Sequence, residues 1–220
     1  ILAEGAQLEL VRFQQGPTAC GHFDSLSASL ASRAVLEDTL FQTGPAWTRS
    51  EIGLALVGES CCADLGGVFL AAGREVTDIH TTIDHEGRGV VSRQNYRGLA
   101  AEEGRGVYHG PIRVLSGARG ADAVQNNRNL LLSRRAQVHS TPALEILTDD
   151  VKCKHGSATG QIDPNQLFYL RSRGLAMEEA TRLLTRAFAG EILTRLQHPE
   201  DRALAEARLG PALDRLGVTA

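Results

Sequence analysis

The sequence predicts a mainly β body followed by a small helical tail, and three observations carry that prediction. From Ala6 to about Gln161, short runs alternate apolar with small or polar residues; in SEIGLALVG, Ile52, Leu54 and Leu56 alternate with Gly53 and Ala55. Glycines punctuate those runs densely, among them Gly58, Gly73, Gly87, Gly89, Gly104, Gly117 and Gly120. After Asp163 the period changes: Ala180, Leu184, Phe188, Ile192 and Leu196 recur every fourth residue, which is one apolar stripe along a helix. The expected division is residues 1–162 for the β body and 163–220 for the helical subdomain.

Each element follows from local chemistry. GVVSRQNYRG, GPIRVLSG and ALEILTDDV read as further strands between turn residues. No helix-length periodic segment separates them, so alternating β–α–β units are disfavoured. The pattern alone leaves a sandwich, a barrel and a β-helix open, and no strict repeat is visible. In the tail, Asp163 before Pro164 is an N-cap and first-turn pair, and Gly174 is a C-terminal stop, giving a short helix over Pro164–Arg173. The next helix runs from about Met177 to Leu196, with Glu178 and Glu179 at its positive end. Pro199, Glu200 and Asp201 start a third, which Gly210–Pro211 should break or kink.

Composition bounds the function. The 220 residues carry a formal charge of −3, which gives no electrostatic case for nucleic acid. No apolar run is long enough for a membrane span. Ile1–Gln7 lacks the basic start and apolar stretch of a signal peptide. A start at Ile1 without methionine points to a piece lacking its N-terminal region. Cys20, Cys61, Cys62 and Cys153 form no C-x-x-C pair, and a bridge between neighbours is strained, so reduced thiols in a cytoplasmic compartment are expected. No Walker A loop is present, so ATP binding by this chain is not expected.

Two clusters carry chemistry. In LTDDVKCKHGSATGQID, strand parity sets Asp149, Val151, Cys153 and His155 on one face and Asp150, Lys152 and Lys154 on the other. The lysine face is the wet one, so the Cys/His face should be buried or covered. Thiolate and imidazole suit iron–sulfur clusters, zinc and copper, but such sites need about four ligands. The segment reads either as half of a metal site or as a core cysteine beside a hydrogen-bonded histidine. The second cluster sets Asp78, His80, Thr82 and Asp84 on one face, a ladder able to hold metal or sugar, or simply a solvated face. His85 follows it. Gln125, Asn127 and Asn129 share a parity suited to amide stacking between parallel coils.

DHEGRGVVSRQNYRG, QNNRNLLLS, PALEILTDDVKCKHGSATGQID and LFYLRSRG, in this order, resemble the SufB/SufD family of iron–sulfur cluster assembly proteins. DDVKCKHG is similar to the SufD branch; SufB members carry a Glu-rich segment there. The resemblance implies a right-handed parallel β-helix with a C-terminal helical subdomain. It implies a non-catalytic subunit that pairs with a SufB-like subunit and docks a SufC-like ATPase through its C-terminal helices. It assigns Cys153 and His155 as ligands of a transient Fe–S cluster at the partner interface, with no stable cofactor in the isolated chain. Ala180, Leu184, Phe188 and Ile192 become the expected partner-binding stripe. Isolated chains could pair as homodimers through an open coil end. The competing reading is a carbohydrate-active β-helix enzyme using Asp149, Asp150 and a nearby histidine as acid–base groups.

Overall fold

A computed structural model describes residues 1–216. Eleven strands alternate between two sheets. The first sheet runs, in order, β1 (Gln7–Gln15), β3 (Val35–Thr43), β5 (Cys62–Ala71), β7 (Val91–Ala100), β9 (Ala121–Leu131) and β11 (Val151–Gly160). The second runs β10 (Gln137–Ile146), β8 (Arg105–Val114), β6 (Val76–His85), β4 (Trp47–Leu56) and β2 (Gly21–Leu30). Every pairing is parallel. The chain therefore winds as a β-solenoid of about five turns, in which each coil adds one strand to each sheet. Coil length is not constant: Gly21 opposes Trp47, whereas Arg105 opposes Gln137, a longer stretch of chain.

One corner explains the dense turn residues. Gly5, Arg33, Ser60, Gly89 and Gly120 all have φ between 56° and 75°. They stack in a column. Each donates its N–H to a carbonyl of the following coil, as Ser60 does to Arg88 (2.9 Å) and Gly89 to Arg119 (2.8 Å). Left-handed backbone is the ordinary territory of glycine, so Arg33 and Ser60 hold it at a cost.

Leu36, Leu65, Leu54, Ile79, Ile83 and Ile112 fill the space between the sheets. A second apolar cluster lies on the outer face of the six-stranded sheet, where Phe41, Val68, Leu70, Leu99 and Leu130 are covered by the tail. The tail comprises α1 (Pro164–Ser172), α2 (Met177–Gly190), a 3-10 turn (Glu191–Arg195) and α3 (Pro199–Asp214). Asp163 caps α1 by accepting from the Asn165 N–H at 2.8 Å, and Gly174 with φ +96° ends it. Two expectations change. The helix foreseen to Leu196 gives way to the 3-10 turn after Gly190, which directs Ile192 and Leu196 into the second cluster. Of the break or kink expected at Gly210–Pro211, the break does not occur, since α3 continues to Asp214. Pro211 sits in the last turns of α3, whose inward residues Leu209, Ala212 and Leu213 are held by the sheet.

Three arginines tie tail to solenoid. Arg97 meets Glu191 at 2.6 Å, Arg195 meets Asp64 at 2.8 Å, and Arg215 meets Glu75 at 3.1 Å. Gly66 makes room for the second, since a Cβ there would stand 2.6 Å from Arg195 Nε.

Candidate functional site at the end of the solenoid

β11 and β10 are the terminal strands of their sheets, so each leaves one backbone edge unpaired. The inward-facing residues of β11 sit directly over those of β9: Cys153 over Ala123, His155 over Gln125, Ser157 over Asn127 and Thr159 over Asn129. The expected parity holds from Val151 onward. Val151 and Cys153 pack against the inner core, while Lys152 and Lys154 are exposed on the other face. Asp149 and Asp150 precede the strand on an exposed bend and do not share its alternation.

Of the two expectations for the Cys/His face, burial within this chain is not met. Cys153 is half-buried and His155 is exposed, because among the described residues no further coil lies above them. Desolvation pushes the Cys153 thiol up, the nearby Asp122 adds to this, and the Ala123 backbone offsets part of it. Among the described residues, no group of three or more His, Cys, Asp or Glu side chains is placed to hold a metal ion. Cys153 and His155 are thus two neighbouring donors on one face, facing out of an open end.

The amide ladder is present and internal. Gln125, Asn127 and Asn129 are all buried. Asn129 donates to Asn127 Oδ1 at 2.6 Å and, across to the next coil, to Thr159 Oγ1 at 3.2 Å.

The acidic-histidine ladder lies on the outer face of the five-stranded sheet and is occupied by its own partners. Arg49 bridges Glu51 (2.7 Å) and Asp78 (3.1 Å) and donates to His80 Nδ1 at 3.2 Å. A guanidinium cannot accept, so Nδ1 is the acceptor and the neutral ring carries its proton on Nε2, 2.9 Å from Asp78. Desolvation pushes the His80 pKa down, with Arg49 and His109 acting the same way against Asp78. Arg49 takes up Nδ1, and among the described residues no third ligating side chain joins His80 and Asp78, so the ladder does not form a metal site. Asp84 is paired with Arg113, and His85 points the opposite way into the core. Asp149 and Asp150 stand exposed on their bend, outside any enclosed groove.

The apolar stripe of the tail faces inward more than expected. Ala180 and Ile192 are wholly enclosed by this chain, so they are corrected from partner-facing to structural. Phe188 is half-buried beneath Arg97, whose guanidinium carbon lies 5.7 Å from the ring centre, and Leu184 is half-buried beside it. The exposed large apolar residues of the tail are Phe168 and Tyr169 on α1, Met177 and Leu183 on α2, and Leu204 on α3. α1 buries none of its residues. Sequence reasoning missed Phe168 and Tyr169, although LFYLRSRG places two adjacent aromatics on a helix too short for both to turn inward.

All four cysteines are free thiols. No helix among the described residues is long and apolar enough to cross a membrane.

Comparison with known proteins agrees with this geometry. Residues 1–188 match the family model described as SUF system FeS cluster assembly, SufBD core domain. The Escherichia coli iron-sulfur cluster assembly protein SufD is 32% identical over 212 residues, covering 96% of this chain and 50% of that protein. A SufBD family protein of Synechocystis is 31% identical over 89% of this chain and 43% of its own length. The Bacillus subtilis SufD is 32% identical over 68% of this chain and 34% of its own length. The chain spans about half the length of the first of these relatives. The matched family model, the SufD relatives and the parallel solenoid together show that the chain belongs to the SufB/SufD family of iron–sulfur cluster assembly proteins, on its SufD branch.

Proposed function

We propose that this chain is a non-catalytic assembly subunit that shares one nascent Fe–S cluster with a SufB-type partner across its last coil. Cys153 and His155 supply two ligands, and the partner supplies the remainder. The carrying observation is that both side chains share one face of the unpaired terminal strand, with no further ligand set beside them in the described residues. The open edges of β10 and β11 favour backbone pairing with a similar solenoid end, assisted by the exposed Ile146 and Leu147. A SufC-like ATPase docks on α1 and α2, where Phe168, Tyr169 and Leu183 form the accessible apolar surface. The cluster is cargo, so the isolated chain holds no stable cofactor. Four free thiols fit a reducing cytoplasmic compartment.

Co-expression with SufB-type and SufC-type subunits tests the proposal. Both should co-purify with the chain, and the complex should take up iron and sulfide on anaerobic reconstitution. Purification of this chain as a homodimer with neither partner would contradict it.

A further inference from the structure

We infer that Gln125 is the positioning residue of His155: its side-chain carbonyl accepts an N–H from the imidazole and turns the other ring nitrogen toward the partner. The inference rests on the proposed ligand role of His155. Ligating histidines usually give their second N–H to a carbonyl or carboxylate, which fixes ring orientation and tautomer.

Register brings the two together. His155 and Gln125 oppose each other on adjacent parallel strands and share the inward face. Side chains so placed start about 5 Å apart at Cβ, within reach of a long amide and an imidazole. Four residues along the same pair of strands, Asn129 already donates to Thr159 at 3.2 Å, so side-chain bonding from β9 to β11 is realised on this face.

The Gln125 amide has one orientation. Nε2 donates to the Gly110 carbonyl and contacts the Tyr108 hydroxyl, both at 2.9 Å. A carbonyl only accepts, so the nitrogen end is fixed there. Gly110 permits the approach, since a Cβ would stand 2.3 Å from Nε2. Tyr108 is held in turn by Gln94 Oε1 at 2.9 Å, which also accepts from Thr81 at 2.7 Å. Gln125 is wholly buried, yet its Oε1 has no partner. Tyr108 and Gly110 lie across the interior on β8, while His155 lies over Gln125 along the axis. His155 itself is exposed, so its ring is free to turn onto that oxygen when a partner covers the end coil. The Ser140 hydroxyl on β10, also unpartnered, is the competing donor.

The test uses the complex with SufB-type and SufC-type subunits and reads cluster yield on anaerobic reconstitution. Gln125→Met should lower the yield roughly tenfold or more, as loss of such an outer partner does elsewhere. Gln125→Asn withdraws the carbonyl from β11 but keeps an interior amide, and should do the same if the Met variant folds poorly. Ser140→Ala should leave the yield unchanged. In a His155→Ala background, Gln125→Asn should have no further effect, because it acts only through the imidazole. An undiminished yield in Gln125→Asn, or an equal further loss in the His155→Ala background, would overturn the positioning role while leaving the ligand role standing. Wild-type yield in His155→Ala alone would overturn both.

Discussion

Arg97 on β7 and Glu191 at the head of the 3-10 turn form an ion pair of 2.6 Å that fastens the helical tail to the solenoid. The arginine side chain is 6% exposed and the glutamate 54%. Asn95 Oδ1 accepts a second bond from Arg97 at 2.7 Å, and Phe188 lies against the guanidinium. Breaking a fully buried pair costs about 3–5 kcal/mol, but solvent reaches Glu191, so Glu191→Ala should cost about 1–2 kcal/mol. Denaturant unfolding measures that loss. Limited proteolysis should find α2 and the 3-10 turn more accessible, with the strands still protected.

The exposed aromatics separate docking from folding. Phe168→Ser with Tyr169→Ser removes apolar surface that the free chain leaves in water, so melting should shift by less than a few degrees. Capture of the ATPase partner should fall at least tenfold if these rings anchor the contact. Phe188→Asp should behave differently. It places a carboxylate against the tail's own core and should destabilise by several kcal/mol, so its loss of ATPase binding would accompany melting. Pull-down and melting curves on the same samples distinguish the two.

Acid sensitivity should trace to His85. Burial depresses its pKa from 6.5 to about 4, outweighing the Arg113 backbone and the Asp84 charge. Between those values the unfolded chain binds a proton that the folded chain refuses, so stability falls as pH drops from about 6.5 toward 4. The full contribution is on the order of 3 kcal/mol, at about 1.4 kcal/mol for each pH unit. His85→Gln should flatten the stability profile over this range. Equal slopes in both proteins would assign the acid loss to other groups.

The stacked corner predicts opposite signs at neighbouring positions. Ser60, at φ 56°, should gain from replacement by glycine, by about 0.5–1 kcal/mol. Gly89, at φ 62°, should lose about 1–2 kcal/mol on replacement by alanine, although the nearest atom to its Cβ, Ser60 Oγ, lies at an uncrowded 3.6 Å. Paired urea titrations test both.

The sequence carried the strand body and the tail because burial on one face imposes period two on strands and near-fourfold spacing on helices. It hid the solenoid because successive coils differ in length, so residues that stack, such as Gly5, Arg33, Ser60, Gly89 and Gly120, keep no fixed spacing. The parity of Cys153 and His155 was legible, but not their exposure, since that depends on β11 being the last strand. The fourfold stripe was legible too. Its direction was not, because Ile192 turns inward only through the 3-10 turn after Gly190. Gln125 was visible as an amide in a ladder, but its unpartnered oxygen follows from Gly110 on another strand.

Anaerobic reconstitution of the three-subunit complex bearing Cys153→Ser and His155→Ala tests the central claim most directly. Iron and sulfide are quantified against the unaltered complex, and subunit ratios and ATPase rate are measured on the same preparation. The predicted result is a loss of cluster of at least tenfold with SufB-type and SufC-type subunits still bound and ATPase activity nearly unchanged. Cluster formation at the unaltered level would contradict the ligand role. Loss of the ATPase subunit from the complex would contradict the separation between the end coil and the helical tail.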